Sequence, residues 1–370
     1  MRVPFYNFAK LHHAEFQKEI LERFKEIVAT NTFVEGKYNT QFEAEFAELQ
    51  GAKHCLLLAN GTDAIEIALQ AHDIGHGDKV GVAAISFFAS AEAVINRGAE
   101  VVFIDVDPKT GLIDPASLKK MLEVHKLKAI IPVHIYGLPA PIEELEKICK
   151  PLDIKIIEDG AQSQGGYYTN KKPIGSSNNI VTYSFYPTKN LGAFGDAGAV
   201  TAPTQELKDT MMSIRNHGRS PKGHALIGRN SRCDHMQAAV LQLKLRELNQ
   251  QNEARKEIAK KYLESLAHLP VRLLDKKWAD LSSWHLFPIG VESEAVKLKL
   301  RNHLTEKGIG SALFYEKSLP QEKPIQHCEG ERKNADHFAL TTFTIPMNPF
   351  LTDEDIALVS KEIENFFKNN

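Results

Sequence analysis

Between residues 14 and 29 the apolar positions Phe16, Ile20, Phe24, Ile27 and Val28 recur at the spacing of one buried helical face. A second helix is predicted over 38–49. Beyond it come short, nearly unbroken apolar runs that read as strands at 54–58, 79–84, 101–105, 129–133, 155–158, 180–185 and 198–201. Helical stretches separate most of them, among them 62–71, 115–124 and 142–150. Strands apolar on both faces and joined by helices predict an α/β fold with a mainly parallel sheet covered on both sides. From Asp234 the pattern changes. A long helix rich in Gln, Lys and Glu is predicted from Met236 to about Leu263. A strand at 285–290, a helix at 295–307, a strand at 310–315 and a last helix at 353–369 follow. The expected division is a large domain, 1–245, and a smaller α+β domain, 246–370.

Composition changes this picture little. The 370 residues are 43% hydrophobic and 25% charged, ordinary for a folded protein and enough for two domains. A net charge of −2 leaves no broad basic field, which argues against nucleic acid or an anionic membrane as the main partner. The run MRVPFYNFAKLHH has no apolar signal-like core, and no apolar stretch reaches membrane-spanning length. A cytoplasmic setting without membrane attachment is expected. Cys55, Cys149, Cys233 and Cys328 lie far apart without a CxxC pair, the pattern of free thiols. No metal site is expected.

Candidate chemistry gathers at three strand ends. Ala59-Asn60-Gly61-Thr62-Asp63-Ala64 follows the first strand and opens a helix, whose free N–H groups suit an anion. An ordinary helix cap from Asn60 or Thr62 is the plain alternative. In Ile156-Ile157-Glu158-Asp159-Gly160-Ala161-Gln162-Ser163 an acid stands at the carboxyl edge of the sheet, where open α/β folds bind ligands. It would pair with a protonated ring nitrogen, or simply cap the next helix. The third run is Ser184-Phe185-Tyr186-Pro187-Thr188-Lys189-Asn190-Leu191-Gly192. Its Lys189 is a candidate Schiff-base amine with a hydroxyl five residues earlier, although most lysines are solvated surface charges. Together the three runs fit pyridoxal 5′-phosphate (PLP): a cradle for the phosphate, an acid for the pyridine nitrogen, an amine for the aldehyde. No GxGxxG follows the first strand, which argues against a dinucleotide-binding dehydrogenase.

These runs, with VPFYNF, FVEGKYNTQFE, ISFFASAEAVINRGAEVVFIDVDPKTG, IPVHIYG, GRNSRCDHMQAAVLQLKL and IPMNPFLTDEDI, make the chain resemble a known family over nearly its whole length. It is similar to the sugar aminotransferases of the DegT/DnrJ/EryC1/StrS group. The resemblance implies a PLP-dependent transferase of fold type I, like aspartate aminotransferase. It implies that Lys189 bonds to the cofactor and later moves the proton between substrate carbon and C4′. Asp159 would hold the pyridinium proton, Gln162 would lie near the ring's phenolic oxygen, and Phe87 would stack on the ring. Phe88 is the neighbouring alternative to Phe87. Gly61, Thr62, Asp63 and Ser184 would contact the phosphate. Asn230 would reach the phosphate of a neighbouring subunit, making a homodimer with shared sites. Arg232 is a candidate for holding the glutamate carboxylate, with a surface ion pair as the alternative. Tyr315 lies in a run that lines the nucleotide-sugar site of relatives, where Phe314 replaces their common histidine. His134 and His217 lie in family-like segments and receive no chemical role.

By this resemblance L-glutamate would donate its amine, leaving pyridoxamine phosphate (PMP), and a nucleotide-linked keto-sugar would accept it, with C3 favoured over C4. The product would serve cell-surface polysaccharide, such as lipopolysaccharide, or deoxyaminosugar biosynthesis. Dehydratases of the family replace the lysine with histidine, so Lys189 argues against that reading. A non-catalytic PLP-binding regulator is the remaining alternative, without a DNA-binding module to support it.

Overall fold

Seven strands carry the candidate loops: β1 (His54–Leu58), β2 (Lys79–Ala83), β3 (Glu100–Ile104), β4 (Leu127–Ile131), β5 (Lys155–Asp159), β6 (Ile180–Ser184) and β7 (Gly198–Ala202). The computed structural model describes residues 1–369. Strand order is β1-β7-β6-β5-β4-β2-β3, and Glu329–Gly330 adds a short parallel strand beside β3. β2 to β6 pair in parallel, and β7 alone runs antiparallel to both its neighbours, β1 and β6. The cause is the connection. Residues 185–197 form no helix, so no crossover is made, and a chain that returns without one pairs antiparallel. The carboxyl ends of β1, β2, β4, β5 and β6 therefore share one edge, and the lysine run loops over it.

An aromatic cluster fixes the lysine strand to the rest of the protein. Phe42 and Phe46 of helix Lys37–Leu49 stack at 5.3 Å. Phe46 meets Tyr183 edge-on at 5.0 Å and Phe185 at 5.3 Å. All four rings are fully buried. Offset and edge-to-face pairs add to what burial alone supplies. Phe185 is the last residue before the run Tyr186–Lys189, so this cluster decides where that run begins.

Helix His235–Ser265 spans 31 residues, and the expected domain boundary at 245 falls inside it. Beyond it Phe287–Gly290 pairs antiparallel with Thr342–Ile345, flanked by helices Glu294–Glu306, Lys333–Thr341 and Asp353–Asn369. The strand expected at 310–315 does not form. Ala312 makes one bridge to Thr344, and Phe314 and Tyr315 turn towards the cavity described below. The strand Thr342–Ile345 escaped the pattern because it follows a helix directly, with no turn residue between them. The four cysteines are unpaired. No helix among the described residues is long and apolar enough to cross a membrane.

Phe46→Ala should cost about 3–5 kcal/mol, the range for deleting a fully buried aromatic ring. Urea unfolding measures it; a loss below about 1 kcal/mol would remove the cluster as the anchor of β6.

Candidate active site

A cavity of about 430 Å³ opens at the shared carboxyl edge of the strands. It collects residues far apart in sequence: Gly61 and Thr62 after β1, Phe87 after β2, Asp159 at the end of β5 with Gln162 beyond it, Ser184 at the end of β6 with Lys189 in the loop that follows, and Tyr315. Most of its wall is apolar, with polar groups at a few points, the usual composition of a small-molecule site.

The anion end is built by close backbone approach. Asn60 caps helix Gly61–Ala71 by accepting the N–H of Asp63 at 2.8 Å. Gly61 and Thr62 keep N–H groups that the helix itself cannot satisfy. A Cβ on Gly61 would stand 2.8 Å from the Ser184 Cβ, and one on Gly198 would stand 2.4 Å from the Asn60 backbone. These two glycines let the helix start, β6 and β7 meet around one small space, with the Ser184 hydroxyl beside it. A dipole's positive end, free N–H groups and a hydroxyl are what a phosphate needs.

The charged pair lies deeper. Asp159 is 5% exposed; its Oδ2 accepts from Ser90 Oγ at 2.7 Å and its Oδ1 from the Ala161 N–H at 3.1 Å. Lys189 is half-covered, since it lines the cavity, yet its amine sits far enough inside the protein to be desolvated. Burial lowers its pKa to about 8, and the Asp159 charge opposes that fall. A neutral amine is thus accessible near neutral pH, as a nucleophile requires.

The loop after Lys189 is tied down by groups that the sequence pattern did not single out. Asn190 donates to Asn252 Oδ1 at 3.0 Å and to the Ser283 carbonyl at 2.8 Å, and meets His285 Nδ1 at 3.1 Å. Lys244 of the long helix donates to the Gly192 carbonyl at 2.8 Å. These partners come from distant segments, so no local spacing marks them. On the opposite wall Gln162 accepts the Tyr136 N–H at 2.6 Å and donates to the Tyr315 hydroxyl at 3.1 Å. Tyr136 sits in the left-handed region, at φ 60, and its own hydroxyl donates to the Phe314 carbonyl. The positive φ of a non-glycine residue is invisible in a sequence.

Phe87 is 60% exposed on the cavity, whereas Phe88 packs against the core. Asp63 does not line the cavity: its N–H is taken by Asn60 and its carboxylate faces Arg229 at 3.3 Å. Asn230 is exposed and Arg232 donates to Asn216 at 3.2 Å, both outside this chain's cavity. His134 is fully buried and serves structure. Its Nδ1 accepts the Ala140 N–H, so Nε2 carries the proton and donates to Glu158 at 2.9 Å. Burial alone would raise the Glu158 carboxyl, but donors from His134, Ser177 and Asn179 outweigh it and the net shift is downward. His217 is exposed, away from the cavity.

The sequence profile of the DegT/DnrJ/EryC1/StrS aminotransferase family matches residues 14–364. The chain belongs to this family. It is 36% identical to the pleiotropic regulatory protein of Geobacillus stearothermophilus, covering 100% of both. It is also 36% identical to UDP-N-acetyl-3-dehydro-alpha-D-glucosamine 3-aminotransferase of Acidithiobacillus ferrooxidans, covering 96% of this chain and 95% of that protein. The crystal structure of S. venezuelae DesV in complex with a ketimine intermediate superposes with a TM-score of 0.93 at 31% identity, covering 98% of each chain. This aminotransferase thus shares both fold and full-length organisation with catalytic relatives.

One prediction follows from the charge pair. In the cofactor-free aminotransferase, capture of a small aldehyde by Lys189, trapped by borohydride, should rise with pH through about 8. Asp159→Asn removes the anion that favours the ammonium, so its midpoint should lie lower. A midpoint at the ordinary lysine value, or one unmoved by Asp159→Asn, would contradict the geometry.

Proposed function

We propose that this aminotransferase takes the amino group of L-glutamate and delivers it to the C3 keto group of a nucleotide-linked sugar. The observation that carries the reading is the placing of Lys189, Asp159 and the Gly61–Thr62 helix start around one cavity. PLP is the cofactor, and the residues fit it: a cradle that a Cβ would fill, a carboxylate with both oxygens oriented, and an amine depressed to about 8. When bound, the group supplies an electron sink for the carbon that loses or gains a proton.

The chain's own residues do the rest. Gly61, Thr62 and Ser184 would hold the phosphate end, and the Asp159 carboxylate would accept a hydrogen bond from the protonated ring nitrogen, keeping it cationic. Phe87 would cover the ring face, and Gln162 would present Nε2 to the phenolic oxygen, its amide oriented because the Tyr136 N–H occupies its Oε1. Lys189, neutral once its amine has lost a proton, is the group that moves protons at the substrate carbon. Tyr315 and Phe314 form the sugar side of the cavity. A C3 acceptor is supported by the 3-dehydro sugar named for the relative from Acidithiobacillus ferrooxidans.

A homodimer completes the site. Phe87, Tyr186, Phe194 and Ile227 are large apolar side chains left 60%, 53%, 42% and 88% exposed, and the first two line the cavity mouth. A second copy would cover them, bringing its Asn230 to the phosphate and its Arg232 to the donor carboxylate. The regulatory name of the Geobacillus stearothermophilus relative favours a second reading, a cofactor-binding regulator. An intact lysine and carboxylate in a desolvated cavity favour catalysis over it.

Glutamate added to the loaded enzyme should abolish the cofactor's visible absorbance, and a 3-keto-sugar nucleotide should restore it, with the aminated sugar seen by mass. Lys189→Ala should lower turnover by at least about a thousandfold while PLP still binds through its phosphate. Near-normal turnover in that variant, or an unchanged spectrum with glutamate, would sink the proposal.

A further inference from the structure

Beside Asp159 stands a pair of hydroxyls, one of them from the cavity-lining Ser86, to which neither the family resemblance nor the reaction assigns a part. Ser90 Oγ lies 2.7 Å from Asp159 Oδ2, and Ser86 Oγ lies 2.7 Å from Ser90 Oγ. Ser90 is fully buried and Ser86 is 4% exposed.

The direction of the chain follows from chemistry. An ionised carboxylate only accepts, so Ser90 spends its single proton on Asp159. The contact between the two serines must then be a donation from Ser86 to Ser90. Each hydroxyl in the row polarises the next, and both point their protons towards Asp159.

The other carboxylate oxygen is held as well, by the Ala161 N–H at 3.1 Å. With one donor on each oxygen, the carboxylate cannot turn about its bond to Cβ without losing both. Water has no access to replace a donor as buried as Ser90. The same turn shapes the cavity's other wall: the Ser90 N–H donates to the Phe87 carbonyl at 3.2 Å at the start of helix Ala89–Asn96. One backbone turn therefore aims the exposed Phe87 ring and the buried Ser90 hydroxyl together.

We propose that Ser90, backed by Ser86, is a positioning residue that fixes the plane of the Asp159 carboxylate for the cofactor's ring nitrogen. This rests on the reading of Asp159 as the partner of that nitrogen. The spacing of Ser86, Phe87 and Ser90 around a helix start is the sequence trace of the device.

Ser90→Ala removes one oxygen and adds nothing, so the fold should survive, and thermal unfolding of the cofactor-free protein checks that. PLP affinity of the cofactor-free chain, read by fluorescence titration, should weaken roughly tenfold, the size expected for one hydrogen bond to a charged group. Turnover number should fall by roughly the same factor while the KM for glutamate moves less than about threefold, since the effect lies on the ring and not on the donor site. Ser86→Ala should give a smaller loss in the same direction. A double-mutant cycle decides the matter. In an Asp159→Asn background, Ser90→Ala should change PLP affinity little, because its target is gone. Full additivity of the two substitutions, or wild-type affinity in Ser90→Ala, would overturn the proposal. If Asp159→Asn itself left affinity and turnover intact, the assignment of Asp159 would fail, which is a separate outcome.

Discussion

A lysine amine and an aspartate carboxylate, both drawn out of water at neighbouring strand ends, set the terms for the rest of this protein. Desolvation lowers Lys189 to about 8, and the nearby Asp159 charge limits that fall. If Lys189 were fully solvated its amine would stay protonated at neutral pH. If Asp159 were unpaired it would be a costly buried charge. Each is tolerable only because the surrounding loops supply donors in fixed positions.

Those positions depend on how the sheet is closed. β7 returns antiparallel between β1 and β6, so the loop bearing Lys189 is folded over the sheet edge and not carried off by a crossover helix. The turn at that edge has room for a phosphate only because Gly61 and Gly198 allow backbone to pass backbone. Phe185, locked among buried rings, sets the point from which the loop departs. Asn190 and Lys244 then hold its far side to the long helix and to the segment that follows that helix. The loop bearing Lys189 is thus fixed at both ends by groups that stand outside the cavity.

One chain presents an open site. The proposed partner copy would account both for the apolar surface at the cavity mouth and for the placement of Asn230 and Arg232 outside their own cavity. The family match spans residues 14–364, nearly the whole chain, so both the sheet that carries the cavity and the segments after the long helix belong to the family pattern.

The seven strands, three of the helices between them and the position of Lys189, Asp159, Ser184, Gly61 and Thr62 at strand ends were legible in the sequence. Buried parallel strands need continuous apolar runs, and cofactor chemistry needs particular residue types at strand ends. The antiparallel turn of β7 was not legible, because a glycine-rich loop carries no sign of the direction in which it returns. Nor was the loss of the strand at 310–315, since pairing depends on which neighbour is free and Thr342–Ile345 had taken the place. The choice of Phe87 over Phe88 at the cavity depended on the backbone turn at one helix start. The hydrogen-bond partners of Asp159, Gln162 and Asn190 come from residues up to 153 positions away. Local pattern encodes what each segment can be; only the packed chain decides which side chains stand within three ångströms of one another.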